Sequence, residues 1–316
     1  AEVAFVPGNH ELWLDSGANE EDLCADSIDK LERILQLCLE EGIHIGPVKV
    51  NTLWIVPLLS WHHLSFDSEP QICTESWGGI PTASRTIRVG ADYRKTIWPH
   101  PITPLDDSVA QFMDSLNDVI LDFGNIDDDE CWGEEEEEDA TILTFSHFLP
   151  RVELLPEKRY LSLPTLPACS GSTFLESRLR ELNGKVLSKT KQDEMKHLHA
   201  FGHSHLAYDL TIENVRYVHV PLAYPREWKQ RRRSLEIGTM AGHESHGRFP
   251  VSIWEKNTNN FPREWLGGWW SKYYTIMQRE PHRTKELAPW VARRFKQRTS
   301  SAVVEDFDHV KMEMIQ

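Results

Sequence analysis

Apolar positions recur along the chain in two periods, one helical and one strand-like. Leu31, Ile34, Leu35 and Cys38 share one helical face, which predicts a helix from Asp26 or Ser27 to about Glu41, capped by the acid or the hydroxyl and stopped by Gly42. Val109, Phe112, Met113, Leu116 and Ile120 predict a second helix from Ser108 to near Phe123-Gly124. Phe174, Leu175, Leu179 and Leu182 predict a third, from Thr173 to its close at Gly184. Short apolar runs read as strands: 3–6, 48–50, 53–59, 140–145, 208–212, 215–220 and 251–254, with another entering the histidine-rich segment 198–205. The run 53–59 is apolar enough to be buried on both faces. Together these elements predict an α/β domain.

Three stretches break the pattern. Residues 65–105 have several prolines, scattered aromatics and little period, and read as a long irregular excursion. Residues 127–139 carry ten acids and no base, and read as a disordered insertion between helix and strand, with too little apolar surface to offset the entropy of ordering. From residue 257 to 316 the chain is dense in Trp and Tyr with bases interleaved, which predicts an aromatic-rich C-terminal arm packed on a domain spanning 1–256.

Charge adds little about partners. The formal net charge is −15, but removing the ten acids of 127–139 leaves −5, so the acidity is largely local. The densest basic cluster, Lys229 with Arg231, Arg232 and Arg233, reads as a solvated loop, and no nucleic-acid partner is expected. Five cysteines, an odd number without C-x-x-C spacing, suggest neither a disulfide framework nor a zinc knuckle and favour an intracellular reducing compartment. The longest apolar stretch is interrupted by Pro57 and is far short of a membrane span, so no membrane partner is expected.

Candidate chemistry collects where apolar runs end. The run Val3–Val6 breaks at Pro7-Gly8 into Asn9-His10-Glu11; 53–59 into Ser60-Trp61-His62-His63; 140–145 into Ser146-His147; and the run at 198 into Gly202-His203-Ser204-His205. Sites in α/β domains gather at the carboxyl ends of strands. In extended backbone His203 and His205, two residues apart, would share a side. Neutral imidazoles and an Asn amide oxygen suit borderline divalent metals. Arg151 reads either as a contact for an anionic group or as a surface salt bridge, Arg226 either as a contact for an anionic substrate or as an ordinary loop arginine, and His62 or His63 either as a substrate-side group or as a satisfied histidine beside Trp61. The zincin spacing, the G-x-G of dinucleotide folds and the G-x-S-x-G elbow are absent.

Taken in order, G-N-H-E, S-H and G-H-S-H resemble the calcineurin-like metallophosphoesterases, from the opening run to about Ile212. The resemblance implies a four-layer αββα sandwich holding two divalent metal ions, manganese, iron or zinc, that activate water against a phosphorylated substrate. Asn9, His147 and His203 would bind one ion and His205 the other. His10 would sit near the phosphate, stabilising charge or protonating the leaving group. The family's D-x-H and G-D-x-x-D motifs do not occur before Gly8, and no G-D pair exists in the chain. The expectation is therefore a fragment whose first strands are missing, with a non-catalytic interaction or scaffold protein as the alternative.

Overall fold

The computed structural model describes residues 2–14, 24–123, 141–187, 196–221, 224–225, 252–258, 260–262 and 268–306. Its strands are β1 (Val48–Val50), β2 (Leu53–Pro57), β3 (Trp77–Gly78), β4 (Thr141–Phe145), β5 (His197–Ala200), β6 (Tyr208–Ile212), β7 (Val215–His219), β8 (Glu286–Leu287), β9 (Lys296–Gln297) and β10 (Val303–Val304). Six of them form one sheet in the order β1-β2-β4-β5-β7-β6. The inner strands β2, β4, β5 and β7 run parallel, and β1 and β6 close the edges antiparallel. The two remaining pairs are β3 with β9 and β8 with β10. The chain is thus a mixed α/β structure around a mostly parallel sheet.

The helices follow the apolar periods. α1 (Ser27–Glu40) starts at Asp26, whose carboxylate accepts from Ile28 N and Asp29 N, and ends before Gly42 at φ +67°. The excursion 65–105 is less irregular than its sequence suggests, for it carries α2 (Ala83–Val89) and α3 (Ala91–Lys95). α4 (Ser108–Phe123) matches its period, whereas α5 (Thr173–Leu187) runs through Gly184, a residue helices tolerate at modest cost. α6 (Trp269–Ile276) and α7 (Pro289–Ala292) lie in the C-terminal region.

Two other expectations need correction. The opening run is not a strand of the sheet: it makes one parallel bridge, Ala4 to His44, before Pro7. Residues 252–254 form no strand; Ile253 and Trp254 instead pack with Leu53, Leu143, Leu198, Val218 and Phe261 over one face of the sheet. On the other face, Trp54, Val56, Ile142 and Tyr217 meet Leu175, Leu179 and Leu182 of α5 and the buried Trp270, Tyr273, Leu287 and Val291. The C-terminal arm therefore shares the principal core.

A third apolar cluster lies beyond the strand ends, where Leu31 of α1 and Val109 and Met113 of α4 pack on Leu12, Leu59, Trp61 and Phe148. It forms the floor under the loops that carry the candidate chemistry. The acidic segment 127–139, the basic cluster at 229–233, Cys131 and Arg226 lie outside the described residues. Cys24, Cys38, Cys73 and Cys169 are free thiols, and no helix among the described residues is long and apolar enough to cross a membrane.

Candidate functional site

Because β2, β4, β5 and β7 are parallel, the loops leaving their carboxyl ends meet along one edge of the sheet. Ser146 N donates to Ala200 O at 3.1 Å and Gly202 N to His147 O at 3.0 Å, so the loops after β4 and β5 are laced together. The segment carrying Asn9 reaches them from outside the sheet, in a turn closed by Gly8 N donating to Glu11 Oε2 at 2.7 Å.

Three of the expected ligands come together. His147 Nε2 lies 2.9 Å from Asn9 Oδ1 and 3.2 Å from His203 Nδ1. His203 Nε2 lies 2.9 Å from the Cys169 carbonyl, which can only accept, so Nε2 carries the hydrogen and Nδ1 keeps a lone pair. Asn9 Nδ2 donates to Asp92 Oδ1 at 2.7 Å, which turns Oδ1 of the amide towards the histidines. His147 Nε2–H is then shared by two acceptors, and the tautomer with that proton on Nδ1 leaves a neutral ring and a lone pair on each of the three neighbouring atoms.

Burial pushes the His147 pKa down to about 3, with the neighbouring His203 adding to the effect, and burial also takes His203 down to about 4. Both rings are neutral at pH 7, as metal ligands must be. Ligands about 2.1 Å from one ion stand roughly 3.0 to 3.4 Å apart in octahedral or tetrahedral geometry, close to the separations seen here. A second bond from two of the three to a fixed protein group, Cys169 O for His203 and Asp92 for Asn9, is the usual support of a metal site. These three residues fit a divalent ion.

His205 is arranged differently. β5 ends at Ala200, and His203 and His205 have φ of +65° and +56°, so the backbone is not extended and the expected common side is not the basis of their placement. His205 lines the same cavity, of about 500 Å³, with its ring 5.1 Å from that of Tyr224. Among the described residues no group of three or more His, Cys, Asp or Glu side chains is placed to hold a metal; the convergent trio above includes an asparagine.

His10 stacks on Trp13 with ring centroids 3.8 Å apart, and its Nε2 lies 3.2 Å from Tyr224 Oη. It stands on the cavity wall with Asn9, Asp92, His147 and His203. His62 does not line the cavity. It is buried behind Asp92, with Nε2 3.4 Å from Oδ2 and its ring stacked on Trp61. Arg151 does meet anionic groups, but they are carboxylates of the chain: Glu153, Glu176 and Glu213 at 3.0, 3.1 and 2.9 Å. Neither residue is where a cavity-bound substrate would touch it.

Sequence reasoning missed three members of the site. Asp92 lies in the excursion with no motif around it, and it accepts from both Asn9 and Trp13 Nε1 at 2.7 Å. Burial works to raise the Asp92 pKa, but His62 beside it and the Asn9 amide hold the carboxyl well below the usual carboxylate range. Trp13 was within reach of inspection, being four residues past Asn9. Tyr224 arrives because β7 is parallel to β5, and that pairing brings the loop after His219 to the site.

No family model matches the chain, and no curated protein matches it. Among solved structures, the phosphopantetheinyl hydrolase of Mycobacterium tuberculosis is similar over 73% of this chain and 72% of its own, at 18% identity and a TM-score of 0.47. Values this low leave the reading of the site to its own geometry.

Proposed function

We propose that the chain is a metal-dependent phosphoester hydrolase of the metallophosphoesterase type, with the four-layer fold and dinuclear centre that its motifs imply. The observation that carries this reading is that Asn9 Oδ1 and His203 Nδ1 lie 2.9 and 3.2 Å from His147 Nε2 on the wall of one cavity. These three residues would hold one divalent ion, manganese, iron or zinc, and His205 would contribute to the second. Bound there, such ions acidify a water for attack and neutralise the phosphoryl oxygens.

The chain's own residues supply the rest. His10, on the cavity wall beside Asn9, gives a proton from Nε2 to the leaving oxygen or stabilises charge on the phosphoryl group. Trp13 keeps its ring in place by stacking. Phe148, fully buried with its ring centroid 5.0 Å from His147 and 4.6 Å from His203, excludes water from beneath the ligands.

The test is metal analysis of the purified chain together with an aryl-phosphate assay after reloading with manganese or zinc. Metal-dependent turnover supports the hydrolase. A folded chain that takes up no metal and turns over nothing favours the second reading, a non-catalytic interaction protein.

A further inference from the structure

We infer that Asp92 is a positioning residue whose single oxygen Oδ1 orients both Asn9 and, through Trp13, His10. The inference rests on the proposed function, since it assigns Asp92 a part in that same site.

An amide can present either its oxygen or its NH2 to a neighbour, and only the oxygen serves as a metal ligand. Asp92 Oδ1 accepts from Trp13 Nε1, which can only donate, and presents the same acceptor to Asn9, so Asn9 Nδ2 faces it at 2.7 Å and the amide Oδ1 turns towards His147. With the amide reversed, Asn9 would aim a donor at the point where the two histidines aim nitrogen. Asp92 thus decides which end of Asn9 the centre receives.

The same Oδ1 accepts from Trp13 Nε1 at 2.7 Å. Trp13 is held on three sides: its N–H by Asp92, one face by the His10 ring at 3.8 Å, and Lys95 Nζ 4.5 Å from the ring centroid. Leu14 N donates to Lys95 O at 2.7 Å, so the segment after Asn9 is tied to α3 by backbone as well. Asp92 itself is fixed within α3, its carbonyl accepting from Thr96 N at 3.2 Å and from Thr96 Oγ1 at 2.6 Å. A short helix from the excursion therefore sets one expected ligand and the support of the expected acid.

The experiment uses the full chain with Asp92→Ala, Asp92→Asn and Trp13→Phe. Three quantities are read: affinity for manganese and zinc by calorimetry after chelator treatment, kcat and KM on an aryl phosphate, and the NMR resonances of the Trp13 indole N–H and the Asn9 side-chain amide. Asp92→Ala is expected to weaken metal affinity about 10- to 100-fold, the usual effect of losing a group that orients a ligand, and Asp92→Asn to do so by less. Trp13→Phe, which keeps a ring for His10, is expected to leave metal affinity unchanged and lower kcat with KM held. A merely structural carboxylate would not produce that split.

A folded Asp92→Ala chain with wild-type metal affinity overturns the inference. If that variant does not fold, Asp92→Asn decides: unchanged affinity and unmoved Trp13 and Asn9 resonances overturn it. If the wild-type chain binds neither ion, the proposed function falls by itself. The orientation of Asn9 and Trp13 by Asp92 is then judged on the two resonances, which must move in Asp92→Asn for the inference to stand.

Discussion

A Cβ atom on Gly8 would lie 2.7 Å from His147 Nδ1 and 2.8 Å from Cε1, so the backbone passes the imidazole with no room for a side chain. The turn before Asn9 is shaped by this approach. Gly8→Ala is expected to destabilise the chain by about 1–3 kcal/mol, the common cost of overpacking, and to displace His147 from Asn9. Gly42→Ala makes the control: nothing lies within 4 Å of its added Cβ, and only the left-handed φ of +67° is strained, at about 1–2 kcal/mol. Metal affinity should fall in the first variant and not in the second; equal affinity in both would remove the steric argument.

His147 and His10 should separate in a metal assay. His147 Nε2 is one of three convergent atoms, whereas His10 stands to the side between Trp13 and Tyr224. His147→Ala is therefore expected to lose metal and turnover together. His10→Ala should keep its metal and lose about 10²–10⁴-fold in kcat, the range for a positioned acid. Turnover that survives His10→Ala with metal content unchanged would show that the assigned role is wrong.

The arm should prove indispensable to folding. Trp270 and Tyr273 of α6 are almost fully buried, and Tyr160 Oη is 2.7 Å from Tyr273 Oη. Glu157, also buried, accepts from Glu280 N at 2.8 Å and from Tyr274 Oη. Trp270→Ala is expected to cost about 3–5 kcal/mol, measured by urea denaturation. A chain ending at residue 256 should show an expanded, dye-binding state by near-UV dichroism and hydrophobic probe fluorescence, and a cooperative unfolding transition in that truncation would contradict a shared core.

Much of the helical pattern was legible because each helix buries one face: Leu31 and Cys38, or Val109 and Met113, repeat at the helical period on sides that meet the core. The turn joining β6 to β7 at Glu213-Asn214 takes the left-handed backbone that a two-residue hairpin loop needs, at φ +49° and +66°. Asn9, His147 and His203 could be singled out because each follows an apolar run. Asp92 could not be, as its role depends on where a motif-free helix folds back across some eighty residues of chain. Tyr224 needed the parallel order of β5 and β7, which local pattern does not encode. Arg151 stayed open between two readings because a lone arginine after a strand looks the same whether it awaits a substrate or, as here, meets three glutamates.

Acid should destabilise the fold through a buried run of polar groups beneath the His147 loop. Ser146 Oγ donates to Phe148 O at 2.8 Å, so it accepts from His199 Nε2 at 3.1 Å; His199 Nδ1 then accepts from Thr144 Oγ1 at 2.8 Å, and Thr144 accepts from His197 Nε2 at 2.8 Å. His199 must be neutral for this order to hold, because its Nδ1 accepts, while His197 Nδ1 faces Asn183 Oδ1 at 3.3 Å. Burial pushes the His197 pKa down to about 3, and burial with the neighbouring His197 takes His199 well below its ordinary value. Between pH 6.5 and about 3 the unfolded chain binds more protons at these positions than the folded one, so stability rises with pH. The contribution is complete above about 6.5 and is lost as pH falls, by up to about 1.4 kcal/mol per unit for each histidine. Urea denaturation at pH 5 to 7 should show this slope, and it should be shallower by up to that amount in His199→Gln between pH 5 and 6. An identical slope in variant and wild type would mean that the carboxylates or the site histidines, and not this run, govern acid stability.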